Sequence, residues 1–294
     1  MNIYAMCRSK SKAEIRFGNL LGLGLINLLI QDVCTPLDTT YNFDYIIHAA
    51  SPSHPLAFSI SPVDVMIANI IGTINLLEYS KSHNSRLLYV SSGEVYGENV
   101  NNLQSFKESD MGFLDCTNPR SCYPESKRTA ETLCASYLRQ FQTDSVIARL
   151  CYVYGPAITN DNSRADAQFL RNVINKQEII MKSAGTQIRS YCYVNDAISA
   201  LFFILLYGKS GEAYNVANKD SIVSIKEYAQ TLATCGGVSL RFEIPDEIEK
   251  AGYSTVHRSV LDASKLEALG WRAQNDIKQG IIKTLDIVKS NNIA

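Results

Sequence analysis

Short apolar runs alternate with segments of helical periodicity along the first half of the chain. Apolar runs typical of strands cover residues 2–7, 25–33, 43–51, 86–92 and 144–155. Apolar residues recur at helical spacing over 11–21, 63–83 and 125–141. Strands that are apolar on both faces and alternate with helices predict an α/β fold with a doubly wound parallel sheet.

The pattern becomes less regular after Pro156. Helices are predicted over 165–175, 223–237 and 277–291, and short strands over 178–182 and 189–194. Gly185 provides a turn between the two strands. The change of pattern predicts a second, smaller structural unit after about residue 155.

Three glycines near the start of the chain, Gly18, Gly22 and Gly24, raise the question of a dinucleotide-binding loop. Such a loop follows a strand and precedes a helix, because its glycines bring the backbone to the pyrophosphate at the helix N-terminus. Here the spacing is GxxxGxG, and the glycines follow a helix-like segment and precede a strand. We therefore interpret this stretch as the end of a helix and a turn.

The composition narrows the classes of partner. The chain has 294 residues, a formal net charge of -1 and 46% hydrophobic residues, which gives no electrostatic reason to expect nucleic acid or an anionic membrane as partner. The longest apolar run, 200–207, is too short to span a bilayer, and the start of the chain does not have the form of a signal peptide. The eight cysteines have neither CxxC nor zinc spacing. We therefore expect reduced thiols, a cytoplasmic location and no metal site.

Tyr123 and Lys127 are the first candidates for catalysis. They stand four residues apart in a predicted helix, so their side chains share one face. A lysine ammonium next to a tyrosine favours the phenolate and lowers the tyrosine pKa. The pair predicts a general base for a sugar or alcohol hydroxyl, although such pairs are also common on exposed helix surfaces.

Two strand ends add polar or small residues to this candidate site. Ser91, Ser92 and Glu94 lie at the end of the strand 86–92, and the small residues of 49–51 end the strand 43–51. Ligands of doubly wound sheets bind at the carboxyl ends of the strands. A serine there can hydrogen-bond a reacting hydroxyl, a glutamate can move a proton, and small side chains permit close approach of a cofactor.

Eight motifs in order resemble the nucleotide-sugar epimerase/dehydratase branch of the extended short-chain dehydrogenases/reductases, and are most similar to UDP-glucuronate decarboxylases. The motifs are DYIIHAAS, NIIGTINLLEYS, LLYVSSGEVYG, CYPESKRTAET, ARLCYVYGP, GTQIRSYCYVNDAISAL, GEAYNVAN and LDASKLEALGW. The resemblance implies a Rossmann-like cofactor-binding domain over 1–155 and a mainly nucleotide-sugar-binding domain over 156–294. Residues of about 188–218 are expected to return to the Rossmann sheet.

The resemblance also implies roles for individual residues. Tyr123 would be the catalytic base, with Lys127 as its partner and as a ligand of the nicotinamide ribose, Ser92 as the aligning hydroxyl and Glu94 as the acid of decarboxylases and dehydratases. Further implied cofactor-binding residues are Arg8, Asp32, Val33, Ala49, Ala50, Ser51 and Asn69. Implied substrate-binding residues are Tyr152, Arg164, Arg189 and Arg258.

The expected cofactor is NAD, and NADP stays open. Arg8 stands where NAD-specific folds carry an acidic residue for the ribose hydroxyls, and Lys10 and Lys12 lie nearby. A 2′-phosphate could therefore be accommodated, although the three residues could equally form a solvated helix start. NAD is favoured because internal redox recycling suits a retained cofactor.

Three departures from the family pattern bear on activity. By the resemblance, the chain is expected to open at the family's second strand, without the first strand, the glycine-rich loop and the first helix, and we therefore expect an N-terminally truncated Rossmann-like domain. Because that strand lies in the middle of the family's sheet, its neighbours would expose apolar surface, and we expect low solubility or weak NAD binding. Gly93 replaces an acid of 4,6-dehydratases, and Tyr152 replaces an asparagine that contacts substrate.

The sequence thus leaves several functional hypotheses open. Decarboxylation and epimerisation of a nucleotide-linked sugar through a 4-keto intermediate are nearly equal alternatives, and Glu94 favours a step beyond epimerisation. A truncated inactive remnant or a noncatalytic nucleotide-binding protein is the alternative from another class. The resemblance further implies a homodimer formed by the helices that carry Asn69 and Tyr123.

Overall fold

The computed structural model of the chain describes residues 2–159, 162–243 and 256–290. The elements up to residue 150 are β1 (Tyr4–Cys7), α1 (Lys10–Gly22), β2 (Asn27–Ile30), β3 (Tyr45–His48), α2 (Pro55–Ile60), α3 (Pro62–His83), β4 (Arg86–Ser92), α4 (Cys122–Phe141) and β5 (Ser145–Leu150). The elements after it are β6 (Tyr152–Tyr154), α5 (Ala165–Ile174), β7 (Ile179–Met181), β8 (Ile188–Tyr193), α6 (Val194–Tyr207), β9 (Ala213–Val216), β10 (Ile222–Ser224), α7 (Ile225–Gly236), β11 (Leu240–Phe242), β12 (Arg258–Ser259), α8 (Ser264–Ala268) and α9 (Ile277–Ser290). Within the described ranges, no helix has both the length and the apolar character needed to cross a membrane.

Four parallel strands form the main sheet in the order β3–β4–β5–β9. Consecutive residues of β4 point to opposite faces of this sheet, and both faces are covered. The buried Leu87 packs in a cluster with side chains of α3 and α4, whereas the buried Leu88 packs in a cluster with side chains of α6. Helices on both faces of a parallel sheet confirm the predicted doubly wound α/β fold.

The first two strands form a separate parallel sheet. β1 pairs with β2, and among the described residues no backbone ladder joins β1 to β3. β3, which pairs with β4 alone among the described strands, has Tyr45 53% and Ile47 40% exposed. Tyr4 of β1 contacts the ring of Phe43, just before β3, with centroids 5.2 Å apart. The predicted sheet is therefore interrupted between β1 and β3, and apolar side chains beside the interruption are exposed as expected.

The predicted strand 144–155 consists of two strands that belong to different sheets. β5 lies in the main sheet, while β6 pairs with β8 in a second sheet of order β10–β8–β12. The two strands are separated by Cys151, whose amide still donates to the carbonyl of Val216 at the end of β9. The chain thus passes from one sheet to the other at a single residue, which directs the residues after it toward the second structural unit.

Aromatic side chains build the core of the second unit. The rings of Tyr191 on β8 and Tyr228 on α7 stack with centroids 4.8 Å apart, and Tyr154 on β6 packs edge-on against Tyr228. Buried side chains of α5, α7 and α9 complete this cluster.

Of the range 188–218 that is expected to return to the Rossmann sheet, β9 lies in the main sheet, whereas β8 lies in the second sheet. The division of the chain into two domains stays a prediction. The last residue of the predicted helix 277–291 lies outside the described residues.

The glycines near the start of the chain have the local role that their order predicts. Gly18 and Gly22 lie within α1, and Gly24 follows the helix with φ +68°. Its amide donates to the carbonyl of Leu21, and the amide of Leu25 donates to Leu20. This left-handed turn ends α1 and leads toward β2, which confirms the interpretation as a helix stop.

Candidate active site

Tyr123 and Lys127 lie in the first turns of α4, where the helix approaches the carboxyl end of β4. Both side chains are buried, with 7% and 3% of their surface exposed. The Lys127 ammonium donates to the carbonyl of Val90 at 2.8 Å and lies 5.6 Å from the centroid of the Tyr123 ring. The spacing of four residues in a helix therefore places these two side chains on one face of α4, as the sequence predicts.

Burial controls the pKa values of both groups. Burial lowers the pKa of Lys127 to about 7, against the opposing charge of Glu131. Burial also raises the pKa of Tyr123, and the carboxylate of Glu94 raises it further, while hydrogen bonding with Ser92 lowers it. The prediction that the pKa of Tyr123 is lowered is therefore wrong. The pKa rises because desolvation of the phenolate outweighs the favourable interactions around it.

Ser92 and Glu94 occupy the carboxyl end of β4. Ser92 is the last residue of the strand, and its hydroxyl accepts a hydrogen bond from the Glu94 amide at 3.2 Å. Glu94 is the second residue of the 3₁₀ turn Gly93–Tyr96, and its carboxylate accepts two hydrogen bonds from Arg120, at 3.0 and 3.3 Å. A Cβ atom on Gly93 would approach Leu261 to 3.2 Å, so the turn packs closely at that position.

These side chains face a cavity of about 990 Å³ between the carboxyl ends of the main strands and the second unit. This volume is sufficient for a nucleotide-sized ligand. The predicted site residues that line it are Ala49, Ser51, Ser92, Glu94, Tyr123, Lys127, Tyr152, Arg164 and Arg189. The structure therefore brings together all four predicted catalytic residues, two cofactor-binding candidates and three substrate-binding candidates.

Two predicted substrate-binding arginines lie at the second-unit side of the cavity. Arg164 donates to the carbonyl of Val153 at 3.1 Å and pairs with Asp166 at 3.2 Å. Arg189 is buried, donates to the carbonyl of Val256 at 2.8 Å and lies 5.6 Å from the centroid of the Tyr152 ring. The guanidinium of Arg189 thus donates to backbone carbonyls, and these hydrogen bonds hold it in the cavity wall.

The remaining predicted site residues lie away from the cavity lining. Arg8 and Asp32 face each other at 3.8 Å beyond the ends of β1 and β2. A backbone hydrogen bond from Cys34 is the largest factor that lowers the pKa of Asp32. Val33 is buried in a core cluster with α3. Ala50 is exposed between two lining residues.

Asn69 and Arg258 have structural contacts of their own. The buried Asn69 on α3 donates to the hydroxyl of Ser126 on α4 at 2.9 Å. It therefore supports the helix that carries Tyr123 rather than facing the cavity. Arg258 on β12 donates to the carbonyl of Gln104 at 2.7 Å, and its neighbour Ser259 lines the cavity instead. Their predicted ligand contacts stay predictions.

Sequence reasoning missed two residues beside Tyr123. Phe58 on α2 stacks on the Tyr123 ring, and Arg120, in the turn before α4, contacts both Phe58 and Glu94. Arg120 gave no local signal in the sequence, because its contacts with Glu94 and Phe58 join separate segments of the chain. Phe58 gave no such signal, since its contact with Tyr123 spans 65 residues of sequence.

Comparisons with known proteins identify the family of the chain. The profile described as the NAD dependent epimerase/dehydratase family matches residues 8–217. UDP-glucuronic acid decarboxylase 3 of Arabidopsis thaliana is 31% identical over 261 residues, which cover 89% of this chain and 74% of that protein. UDP-glucuronic acid decarboxylase 1 of Xenopus tropicalis is 30% identical, and the match covers 59% of that protein.

Solved structures share the fold. UDP-glucuronic acid 4-epimerase from Bacillus cereus, solved with UDP-glucuronic acid and NAD, has a TM-score of 0.82 at 22% identity, over 99% of this chain and 91% of that one. UDP-glucose 4-epimerase from Thermotoga maritima has a TM-score of 0.81 at 19% identity, over 99% and 100%. Together with the profile match and the 31% identity to a decarboxylase, these findings show that the chain belongs to the NAD dependent epimerase/dehydratase family, as an extended short-chain dehydrogenase/reductase.

Proposed function

We propose that this chain converts a nucleotide-linked sugar without net oxidation, through a 4-keto intermediate, as a UDP-glucuronate decarboxylase. The observation that carries the proposal is the convergence of Tyr123, Ser92 and Glu94 on one cavity above the buried Lys127. A noncatalytic remnant is not favoured, because a protein that only binds a nucleotide has no need of a base, an aligning hydroxyl and a carboxylate at one point.

The residues of the cavity fit the nicotinamide–ribose half of NAD, the cofactor of this family. Ala49 and Ser51 follow β3 and line the wall on the side of Lys127, and their small side chains permit a flat ring to approach. The Lys127 ammonium and the Tyr123 hydroxyl would bind the ribose. Arg8 and Asp32 are proposed to lie at the adenine end. When bound, NAD supplies a reversible acceptor for a hydride.

Tyr123 would accept the proton of the sugar C4 hydroxyl. Because burial raises its pKa, the phenolate has to be stabilised where it forms, and three features support this. Ser92 is within hydrogen-bonding reach of the phenol, and Arg120 and Arg164 lower the tyrosine pKa by their charge. Lys127, when protonated, would add a positive charge 5.6 Å from the centroid of the ring. Ser92 can hydrogen-bond the same C4 oxygen and orient it.

Glu94 favours decarboxylation over simple epimerisation. Once C4 is a ketone, a carboxylate on C5 is beta to it and can leave as carbon dioxide, and the resulting enolate needs a proton at C5. Glu94 is 35% exposed on its side chain, faces the cavity and influences the pKa of Tyr123 by its charge. A carboxyl group in that position could transfer the proton, which epimerisation at C4 does not require.

Product analysis tests this proposal. The chain is incubated with NAD and either UDP-glucuronate or UDP-glucose, and products are identified by NMR. We expect a UDP-pentose and carbon dioxide from UDP-glucuronate, with no net formation of NADH. A C4 epimer of either substrate without carbon dioxide would favour the epimerase alternative, and an absence of any product would contradict the proposed function.

We also infer that the chain forms a homodimer through α3. Val63, Ile67 and Ile71 follow one another at intervals of four residues and are 65%, 43% and 40% exposed. Such an exposed apolar stripe on a helix is typical of an interface between protein chains. Sedimentation of the Ile67→Glu variant tests the inference, because a charge at the centre of the stripe should produce monomers. A wild-type chain that sediments as a monomer would contradict it.

A further inference from the structure

Arg120 lies in the short 3₁₀ turn Pro119–Ser121 directly before α4, and its guanidinium faces the cavity. It donates to both carboxylate oxygens of Glu94, at 3.0 and 3.3 Å. Its guanidinium carbon also lies 4.6 Å from the centroid of the Phe58 ring, which itself stacks on Tyr123. Arg120 thus contacts both Glu94, the candidate acid, and Phe58, which packs against the candidate base Tyr123.

The other cations of the described cavity lining are engaged more completely. Lys127 is buried on the carbonyl of Val90, and Arg189 is buried on backbone carbonyls. Arg164 is shared between Asp166 and a backbone carbonyl, with 32% of its side chain exposed. The side chain of Arg120 is 50% exposed and pairs with Glu94 at 3.0 Å. Within this lining, Arg120 is therefore the cation most accessible to a second anion.

The negative charge of Glu94 would repel a sugar that carries a carboxylate on C5. C5 is bonded to C4, so a carboxylate on C5 lies within a few bond lengths of the hydroxyl that meets Tyr123. Glu94 is close enough to Tyr123 to raise its pKa by electrostatic repulsion. Two carboxylates confined at this distance repel each other strongly unless a cation lies between them or beside them.

We propose that Arg120 is a specificity-determining residue that makes the cavity accept a sugar with a C5 carboxylate. Its planar guanidinium has enough donors to contact Glu94 and a second carboxylate at once. The inference rests on the proposed function, because it requires the C4 hydroxyl to lie at Tyr123. On this proposal, the preference for a uronate over a neutral sugar depends on Arg120, which is not one of the four predicted catalytic residues.

Equilibrium binding of UDP-glucuronate, UDP-glucose and UDP, measured by calorimetry, tests the proposal. All proteins carry Tyr123→Phe so that no ligand is consumed. Adding Arg120→Gln should raise the Kd for UDP-glucuronate about tenfold or more, and should change the Kd for UDP-glucose and UDP less than about threefold. Arg120→Lys should retain part of the preference. Arg139→Gln, an exposed arginine at the far end of α4, should leave all three values unchanged.

Removal of the opposing charge provides the complementary test. Glu94→Gln should lower the Kd for UDP-glucuronate relative to UDP-glucose, because the repelling carboxylate is gone. Binding of UDP-glucose also reports that each variant is folded. If the Tyr123→Phe protein binds neither UDP-sugar, the proposed function is overturned and this inference with it. If it binds both and Arg120→Gln leaves the ratio of the two Kd values unchanged, only the role of Arg120 is overturned.

Discussion

The ring of Phe58 stacks on the ring of Tyr123, with centroids 4.7 Å apart and planes inclined by 25°. Phe58 is buried on α2, a helix that begins seven residues after β3 ends. The contact restrains the orientation of the phenol, whose oxygen would have to meet both Ser92 and a substrate hydroxyl in the proposed function. A general base that turns away from this point loses most of its effect, so the packing of α2 bears directly on catalysis.

Phe58→Leu is therefore expected to lower kcat. Leucine keeps the apolar contact but loses the flat surface that holds the Tyr123 ring, and we expect a decrease of about tenfold in kcat with little change in KM. Steady-state kinetics with UDP-glucuronate measure the effect. Phe141→Leu, at the exposed end of α4, is the matched control and should retain full activity. An equal loss in both variants would show a general effect on folding instead.

A buried ion pair connects α4 to β5. Arg149 donates to Glu131 at 2.7 Å, with side chains only 5% and 11% exposed, and Ser91 donates to the same carboxylate at 2.5 Å. Arg149→Met should lower the free energy of unfolding by about 3 kcal/mol, because it leaves the Glu131 charge buried without its partner.

Urea denaturation measures this loss, and two further variants test its cause. Arg149→Met combined with Glu131→Met should be less destabilising than Arg149→Met alone, because no unpaired charge remains. Arg241→Met removes solvent-accessible pairs with Glu178 and Glu243 and should change the stability by less than about 0.5 kcal/mol. A loss of the same size for Arg149 and Arg241 would contradict the importance of burial.

His48 should make the stability depend on pH. It is buried at the end of β3, and burial, assisted by the charge of Lys127, lowers its pKa to about 3. In the unfolded chain it titrates near its ordinary value of 6.5. The unfolded state therefore binds a proton that the folded state does not bind between pH 6.5 and 3, so stability falls as the pH falls through this window.

Replacement of the histidine isolates its contribution. From pH 7 to 4.5, His48 should account for a loss of about 2.5 kcal/mol in the free energy of unfolding. His48→Phe, which keeps a ring against Tyr89, should show a correspondingly smaller loss over the same range. Denaturant titrations of both proteins at the two pH values provide the comparison. Identical pH dependence in the two proteins would mean that His48 is not buried as a neutral group.

The interrupted sheet should be visible in hydrogen exchange. Among the strands that the structure describes, β3 is paired on one side only and β1 is paired with β2 alone, whereas β4 is paired on both sides. Averaged over each strand, the amides of β1 and β3 should exchange about 100-fold faster than those of β4. Exchange followed by mass spectrometry on peptides resolves the three strands. Equal protection would indicate that another polypeptide segment covers the edges of β1 and β3 in solution.

Elements with a clear apolar period could be predicted from the sequence. The ends of α3 and β4 agree with the predicted ranges to within one residue, because the buried positions of α3 follow a helical period and β4 is a short apolar run that is buried on both faces. α6 was not predicted, since its sequence is apolar at nearly every position and shows no period. The break at Cys151 was missed for a related reason: the apolar run continues across it while the chain changes sheets.

The candidate site was predictable where it depends on local spacing and not where it depends on long-range packing. Tyr123 and Lys127 share a helix face, and Ser92 and Glu94 follow one strand, so their proximity could be inferred. The contacts of Phe58 and Arg120 with these residues join separate segments of chain and have no local signal. The direction of the Tyr123 pKa shift also escaped prediction, because the degree of burial is a property of the folded cavity.

The central claim is that the sugar is oxidised at C4 and that the same hydrogen returns to it. Incubation of the chain and NAD with UDP-glucuronate deuterated at C4, in ordinary water, tests this most directly. The account predicts a UDP-pentose that retains deuterium at C4, one carbon dioxide for each product, and no product from the Tyr123→Phe variant. A product that carries solvent hydrogen at C4, or equal turnover by the Tyr123→Phe variant, would contradict it.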